Sequence, residues 1–184
     1  MLLTVALVFG LASRGGYRAE VRPSIVGLDT RVIDDRVLVS FVLRGAYDED
    51  MARRVDSGLP TGFDYRVRLV RPRKSWFDST VSASTLQIMA MYNAITREYL
   101  INYKQDGDLI ESRVVRDKAS LRRALTQVDA LSAFDLGTLP SDLRDRRLKI
   151  QVRAELGTGT FLFFIPTTIT TDWAESRELF EPRG

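Results

Sequence analysis

From residue 63 to residue 69 the chain reads FDYRVRL, with Phe63, Tyr65, Val67 and Leu69 alternating strictly with Asp64, Arg66 and Arg68. Period-two alternation puts the four apolar side chains on one face of an extended strand and the charges on the other, which a helix cannot do. A strand with one dry and one wet face belongs in a sheet that packs against something on one side only. The pattern returns at Leu148, Ile150, Val152, Ala154 and Leu156, interleaved with Lys149, Gln151, Arg153 and Glu155. Two such strands commit the chain to a β-rich fold.

The rest of the chain is read around them. Glu20 to Leu28 and Arg31 to Arg44 form a predicted hairpin, the second strand interrupted at Asp34-Asp35 and then carrying Val37, Val39, Phe41 and Leu43 on one face. Leu38 and Val42 make its other face partly apolar, which places it centrally. Leu86 to Tyr92 and Arg97 to Tyr103 are further strands, and Asp106-Gly107 joins the latter to Leu109 to Val115 through a type I′ turn. Two short helices are expected. One is capped by Asp48, Glu49 and Asp50, buries Met51 and Val55, and stops at Gly58 and Pro60. The other carries Leu121, Ala124, Leu125 and Val128 at helical spacing. Gly157-Thr158-Gly159-Thr160 reads as a hairpin turn rather than a dinucleotide loop, because residue 162 is Leu, and Phe161 to Ile165 as a short buried strand, with a surface patch for a partner as the alternative.

Hairpin turns without strand-helix repetition predict an antiparallel β-sandwich, immunoglobulin-like or related, with one or two short helices; a partly open β-barrel is the alternative. At 184 residues, 45% of them hydrophobic, the chain can build one domain with its own core, expected over residues 17–184.

Absences narrow the chemistry further. With no histidine and no cysteine there is no Ser-His-Asp or Cys-His triad, no Cys/His zinc site, no iron-sulfur cluster and no disulfide. The residues three before the four lysines are Arg71, Ile101, Val115 and Arg146, so a Ser-Lys dyad of the S-x-x-K kind is excluded too. The acidic clusters at Asp48 to Asp50 and Asp106 to Asp108 lack the spacing of a calcium loop and read as a helix cap and a turn. No metal or cofactor is expected. A balance of 27 basic against 24 acidic residues, net +3, does not suit nucleic acid. What remains is a non-enzymatic binding or accessory domain. The alternatives are a carboxylate-based hydrolase such as a glycosidase, which needs only two acids at a fixed separation, and a carrier of an apolar ligand lined by Phe161, Phe163 and Ile165.

The first residues, MLLTVALVFGLASRGG, hold an apolar run from Leu2 to Ala12 that is too short to span a bilayer but suits the core of a secretory signal. Residues 1–16 are therefore expected to be a signal-like segment and linker, and the protein to be periplasmic or otherwise in the cell envelope. After the alternating strand, Arg71, Arg73 and Lys74 crowd a turn before Trp76. This RPRK turn is expected to be mainly architectural, with Trp76 or Phe77 buried. It also supplies the candidate binding residues, Arg71, Arg73, Lys74 and Trp76, for an envelope protein partner or an anionic surface.

The GLP at Gly58 to Pro60, the run FDYRVRLVRPR, WFD at Trp76 to Asp78, YNAITREY at Tyr92 to Tyr99, FFIP and the late Trp173 together resemble the bacterial domain-of-unknown-function family 4390 over roughly residues 24 to 177. The resemblance implies an exported or membrane-associated protein, linked to membrane sensor-kinase systems, and carries no catalytic residues with it.

Overall fold

The computed structural model describes residues 22–73, 78–140, 143, 147–161 and 165–179, the side chains of 158–168 excepted. These residues form ten strands and two α-helices. In chain order they are β1 (Ser24–Ile33), β2 (Arg36–Arg44), α1 (Glu49–Asp56), β3 (Thr61–Arg71), β4 (Ser79–Asn93), β5 (Glu98–Gln105) and β6 (Asp108–Val115). Then come α2 (Lys118–Thr126), β7 (Gln127–Asp135), β8 (Lys149–Phe161), β9 (Ile165–Thr170) and β10 (Ala174–Glu175). All pairings are antiparallel. Three strands in the order β1-β2-β7 make one sheet; the other runs β10-β8-β3-β4-β5-β6, with β9 added to β8. The fold is the expected β-sandwich, and among the described residues it does not close into a barrel.

The alternating run behaves as read. Phe63, Tyr65, Val67 and Leu69 are buried, and across the ladder they meet the inward rows of β4 and β8. β2 is central in its sheet, with Val37, Val39, Phe41 and Leu43 turned into the core. In α1 the Asp48 carboxylate accepts from the Met51 amide at 2.7 Å, Glu49 and Asp50 lie at the positive helix end, and Met51 and Val55 are buried. The Asp106-Gly107 turn has both residues at positive φ, +50° and +97°, as a type I′ turn requires.

Four local readings change. The β1-β2 turn falls at Asp34-Asp35, φ +48° and +61°, instead of near Asp29, because a bulge between Val26 and Asp29, with Gly27 at φ +63°, lets β1 continue. The second helix stops at Thr126, so Val128 is a buried residue of β7, a strand the sequence reading did not contain. Its end is fixed from the opposite sheet: Tyr65 Oη donates to the Leu125 carbonyl at 2.6 Å and Tyr103 Oη to the Ala124 carbonyl at 3.2 Å. Those are terminal carbonyls with no partner inside the helix. Finally, Gly157 to Thr160 lie inside β8, where Thr158, Gly159 and Thr160 pair with Thr168, Thr167 and Pro166, and Phe161 pairs with Ile165. The run Phe161 to Ile165 is thus split between two strands, and residues 162–164 lie outside the described residues.

Beyond β9 the chain straps the edge of β8 with hydroxyls where strand pairing lapses. Thr171 Oγ1 accepts from the Ala154 amide at 3.0 Å and Ser176 Oγ from the Ile150 amide at 2.9 Å, on either side of β10. Trp173 sits on the wet face between the guanidinium groups of Arg68 and Arg153, 4.2 and 4.7 Å from the ring centroid. Glu155 bridges Arg66 and Arg153 beside it.

The unequal sheets determine where the core ends. β1 packs over β8 and β10, β7 packs over β4, and α2 bridges the sheets. The larger sheet extends through β5 to β6, beyond that cover, and β6 is exposed along nearly its whole length.

Candidate binding cleft at the open side of the sandwich

Where β5 and β6 overhang, a cleft of about 380 Å³ opens between the edges of β6 and β7, which are free among the described residues. Tyr103, Ile110, Glu111, Arg113, Asp129 and Leu131 are among its lining residues. Both edges are bulged here. Tyr103 pairs with Glu111 and Lys104 with Leu109, which leaves Ile110 as the extra residue. In β7, Asp129 and Ala130 together oppose Ser40, whose hydroxyl accepts from the Ala130 amide at 2.9 Å. Ala130 is held at φ +50°, a left-handed conformation that disfavours alanine, so this cleft wall is a strained one.

The polar groups of the cleft hold one another in place. The Arg113 guanidinium reaches Glu111 at 2.8 Å and stands 5.1 Å from the Tyr103 ring centroid. The hydrogen bond to Glu111 raises the Arg113 pKa, so this cation stays charged. Burial raises the Tyr103 phenol, which stays protonated and free to donate to α2. Gln105 Nε2 donates to the Ser132 carbonyl at 3.0 Å and ties β5 to β7 at the cleft's border. The result is an apolar floor with one guanidinium and two carboxylates at its rim, the mixture expected of a small recognition site.

Of the residues singled out from sequence, Arg71 and Arg73 lie elsewhere. Arg71 ends β3 opposite Ser79 and is half-buried, while Arg73 is exposed beyond the strand. Neither makes an ion pair among the described residues. Lys74 and Trp76, with Phe77, lie outside the described residues. Neither Arg71 nor Arg73 lines the cleft. The β7 side of the cleft is absent from the sequence reading, in which Val128 is the last apolar position of the second helix. The available signal was the broken alternation of DLIESRVV, which suits a strand with no sheet neighbour on one side.

A second polar cluster has a structural role. The Asp56 carboxylate at the end of α1 accepts from Tyr99 Oη of β5 at 2.8 Å and from Lys118 Nζ of α2 at 2.7 Å, which clasps both helices to the sheet. The Lys118 hydrogen bond lowers the Asp56 pKa, with Tyr99 adding to the effect and burial opposing it. A depressed carboxyl contributes stability above its unfolded pKa of about 4 and loses it as pH falls through the folded value. Asp56→Asn should therefore lower the melting temperature at neutral pH, and the difference from the native protein should begin to shrink below about pH 4 and close only as pH falls through the lowered folded value. A gap as wide in acid below about pH 4 as at neutral pH would mean that the clasp is not electrostatic.

The fold and cleft define the class as an antiparallel β-sandwich with an uncovered sheet edge beside a mixed polar and apolar cleft. A family model described as a domain of unknown function (DUF4390) matches residues 23–176, and the chain belongs to that family. The match agrees within one residue at each end with the span of the resemblance seen in the sequence. No curated protein and no solved structure matches the chain.

Proposed function

We propose that this is a non-enzymatic binding domain of the bacterial cell envelope that holds an extended segment of a partner protein along β6. The observation that carries the reading is β6 itself: eight residues at a free sheet edge, with Leu109, Ile110 and Val114 all more than half exposed, beside a cleft floored by Tyr103 and Leu131. Natural sheets blunt or cover such edges, and an added strand satisfies the edge and buries the apolar side chains together. Glu111 and Asp129 outnumber Arg113 at the rim, which favours a segment carrying a basic residue among apolar ones. Placement in the envelope is supported by the apolar run Leu2 to Ala12, which precedes both the family match and the first described strand.

Glu111 and Asp129 are also the pair that a glycosidase would require of this cleft. Both are exposed and Glu111 is engaged by Arg113, whereas a general acid depends on a carboxyl sheltered from water, so the arrangement favours binding over hydrolysis. The carrier reading rested on Phe161, Phe163 and Ile165, whose side chains are not among those described.

The test is selection of octapeptides against the full chain, followed by affinity measurement and amide exchange. Binders should combine apolar residues with a cation, lose at least about tenfold in affinity to Ile110→Arg, and slow exchange along β6. Binders indifferent to Ile110→Arg, with unchanged exchange in β6, would remove the proposal.

A further inference from the structure

The far end of the larger sheet carries a second unexplained surface, separate from the cleft. At the β4-β5 hairpin Ile95 is 93% exposed, the most exposed of the large apolar side chains among the described residues. The turn holding it is not loose. Asn93 Oδ1 accepts from the Ile95 amide at 2.9 Å and the Thr96 amide at 3.3 Å, and the Arg97 amide donates to the Asn93 carbonyl at 2.8 Å. Leu59, also more than half exposed, lies at the same end: Thr61 pairs with Ala90, and Gly58 approaches the Tyr92 carbonyl. Behind the tip, Met91, Leu100 and Val114 stand side by side across β4, β5 and β6 on the outer face. An apolar row thus leads up to an apolar finger.

The charges around it are mixed, but two cations are available to a ligand. Arg54 and Arg97 are exposed and make no ion pair among the described residues. The nearby carboxylates are committed: Asp56 to Tyr99 and Lys118, Glu98 to Arg116, and Asp117 to the Ser120 amide of α2. A projecting isoleucine cannot bury itself against a flat protein surface, but a fluid hydrocarbon boundary closes around it. Guanidinium groups at its base then meet lipid phosphates.

The geometry points to docking of this end on an anionic lipid surface, with Ile95 and Leu59 entering the headgroup boundary and Arg54 and Arg97 contacting phosphate. Orientation follows from the topology. Arg71, which ends β3 opposite Ser79, and the Asp106-Gly107 hairpin lie at the opposite end of the sheet, and the β6 edge runs between the two ends, open to a partner.

The absence of cysteine permits a clean test with the full chain. Ile95→Cys and, as the distal control, Asp108→Cys carry an environment-sensitive nitrobenzoxadiazole probe and are mixed with vesicles of phosphatidylcholine alone or with phosphatidylglycerol. A severalfold rise in emission with a blue shift is expected at position 95, on phosphatidylglycerol vesicles only, and none at position 108. This readout is local to the tip, so the apolar N-terminal run cannot mimic it. In co-sedimentation at low salt, replacing Arg54 by Gln and Arg97 by Asn, a residue that tolerates positive φ, should each weaken binding roughly fivefold. Serine at Arg71, Arg73 and Lys74 should leave binding unchanged. A silent probe at position 95, equal response to uncharged vesicles, or loss of binding only in the triple serine variant would each overturn the proposal, as would an Ile95-dependent protein contact without lipid binding.

Discussion

Gly62→Ala is expected to destabilise the domain by at least about 3 kcal/mol, a large share of the roughly 5–15 kcal/mol that holds a domain of this kind together. Gly62 faces Met89 across the β3-β4 ladder, and a β-carbon built on it would lie 1.8 Å from the Ile88 carbonyl oxygen and 2.8 Å from the Met89 α-carbon. These are backbone atoms, so no side chain can rotate away. β4 cannot recede either, because Ile88 and Met89 are paired on their other side with Tyr103 and Asn102 of β5. Relief requires parting β3 from β4 where Phe63 and Ile88 enter the core. The contrast is Gly107→Ala: there nothing lies within 4 Å of the new atom and the cost is conformational only, about 1 kcal/mol at φ +97°. Urea denaturation of both variants measures the difference. Equal midpoints would mean that the β3-β4 approach is slacker than its geometry indicates.

That contrast also shows what a sequence can disclose. Gly107 was legible as a turn glycine because Asp-Gly between two strands is a local signal. Gly62 was not, since nothing in TGFDY reveals how near another strand will come. The same division runs through the fold. Alternation exposed β3 and the first half of β8, where one face is wet, and cap chemistry exposed α1. β7 stayed hidden because VDALSAF continues a helical spacing, and two tyrosines about 20 and 60 residues upstream in the chain end α2 by taking its last carbonyls. Gly157 to Thr160 carry turn composition yet lie within a strand because β9 pairs with Thr158, Gly159 and Thr160. The cleft was less legible still. It arises from setting three strands against seven, a property of the assembled sheets that no window of residues contains. Only the uneven DLIESRVV hinted at an uncovered edge.

Tyr65 joins these levels, and its replacement separates packing from hydrogen bonding. The ring is fully buried, 5.1 Å from Phe41 across the sandwich and 6.3 Å from Phe63, and burial keeps its phenol protonated well above the usual range. Tyr65→Ala empties the centre of the core and should cost about 3–5 kcal/mol, a large share of the stability of the domain. Tyr65→Phe keeps the ring but strips the Leu125 carbonyl of its donor, at a cost of about 1–3 kcal/mol for a buried acceptor left unmet. Its effect should also be localised. Tyr103 still holds the Ala124 carbonyl, so faster amide exchange is expected in the last turn of α2 and the first residues of β7, with β3 and β4 unchanged. Adding Tyr103→Phe removes the second donor and should free the α2-β7 junction, which forms one wall of the cleft. Peptide affinity at β6 should then fall by more than the loss of stability alone explains. Exchange that quickens evenly throughout the sandwich would show instead that Tyr65 acts only as core volume.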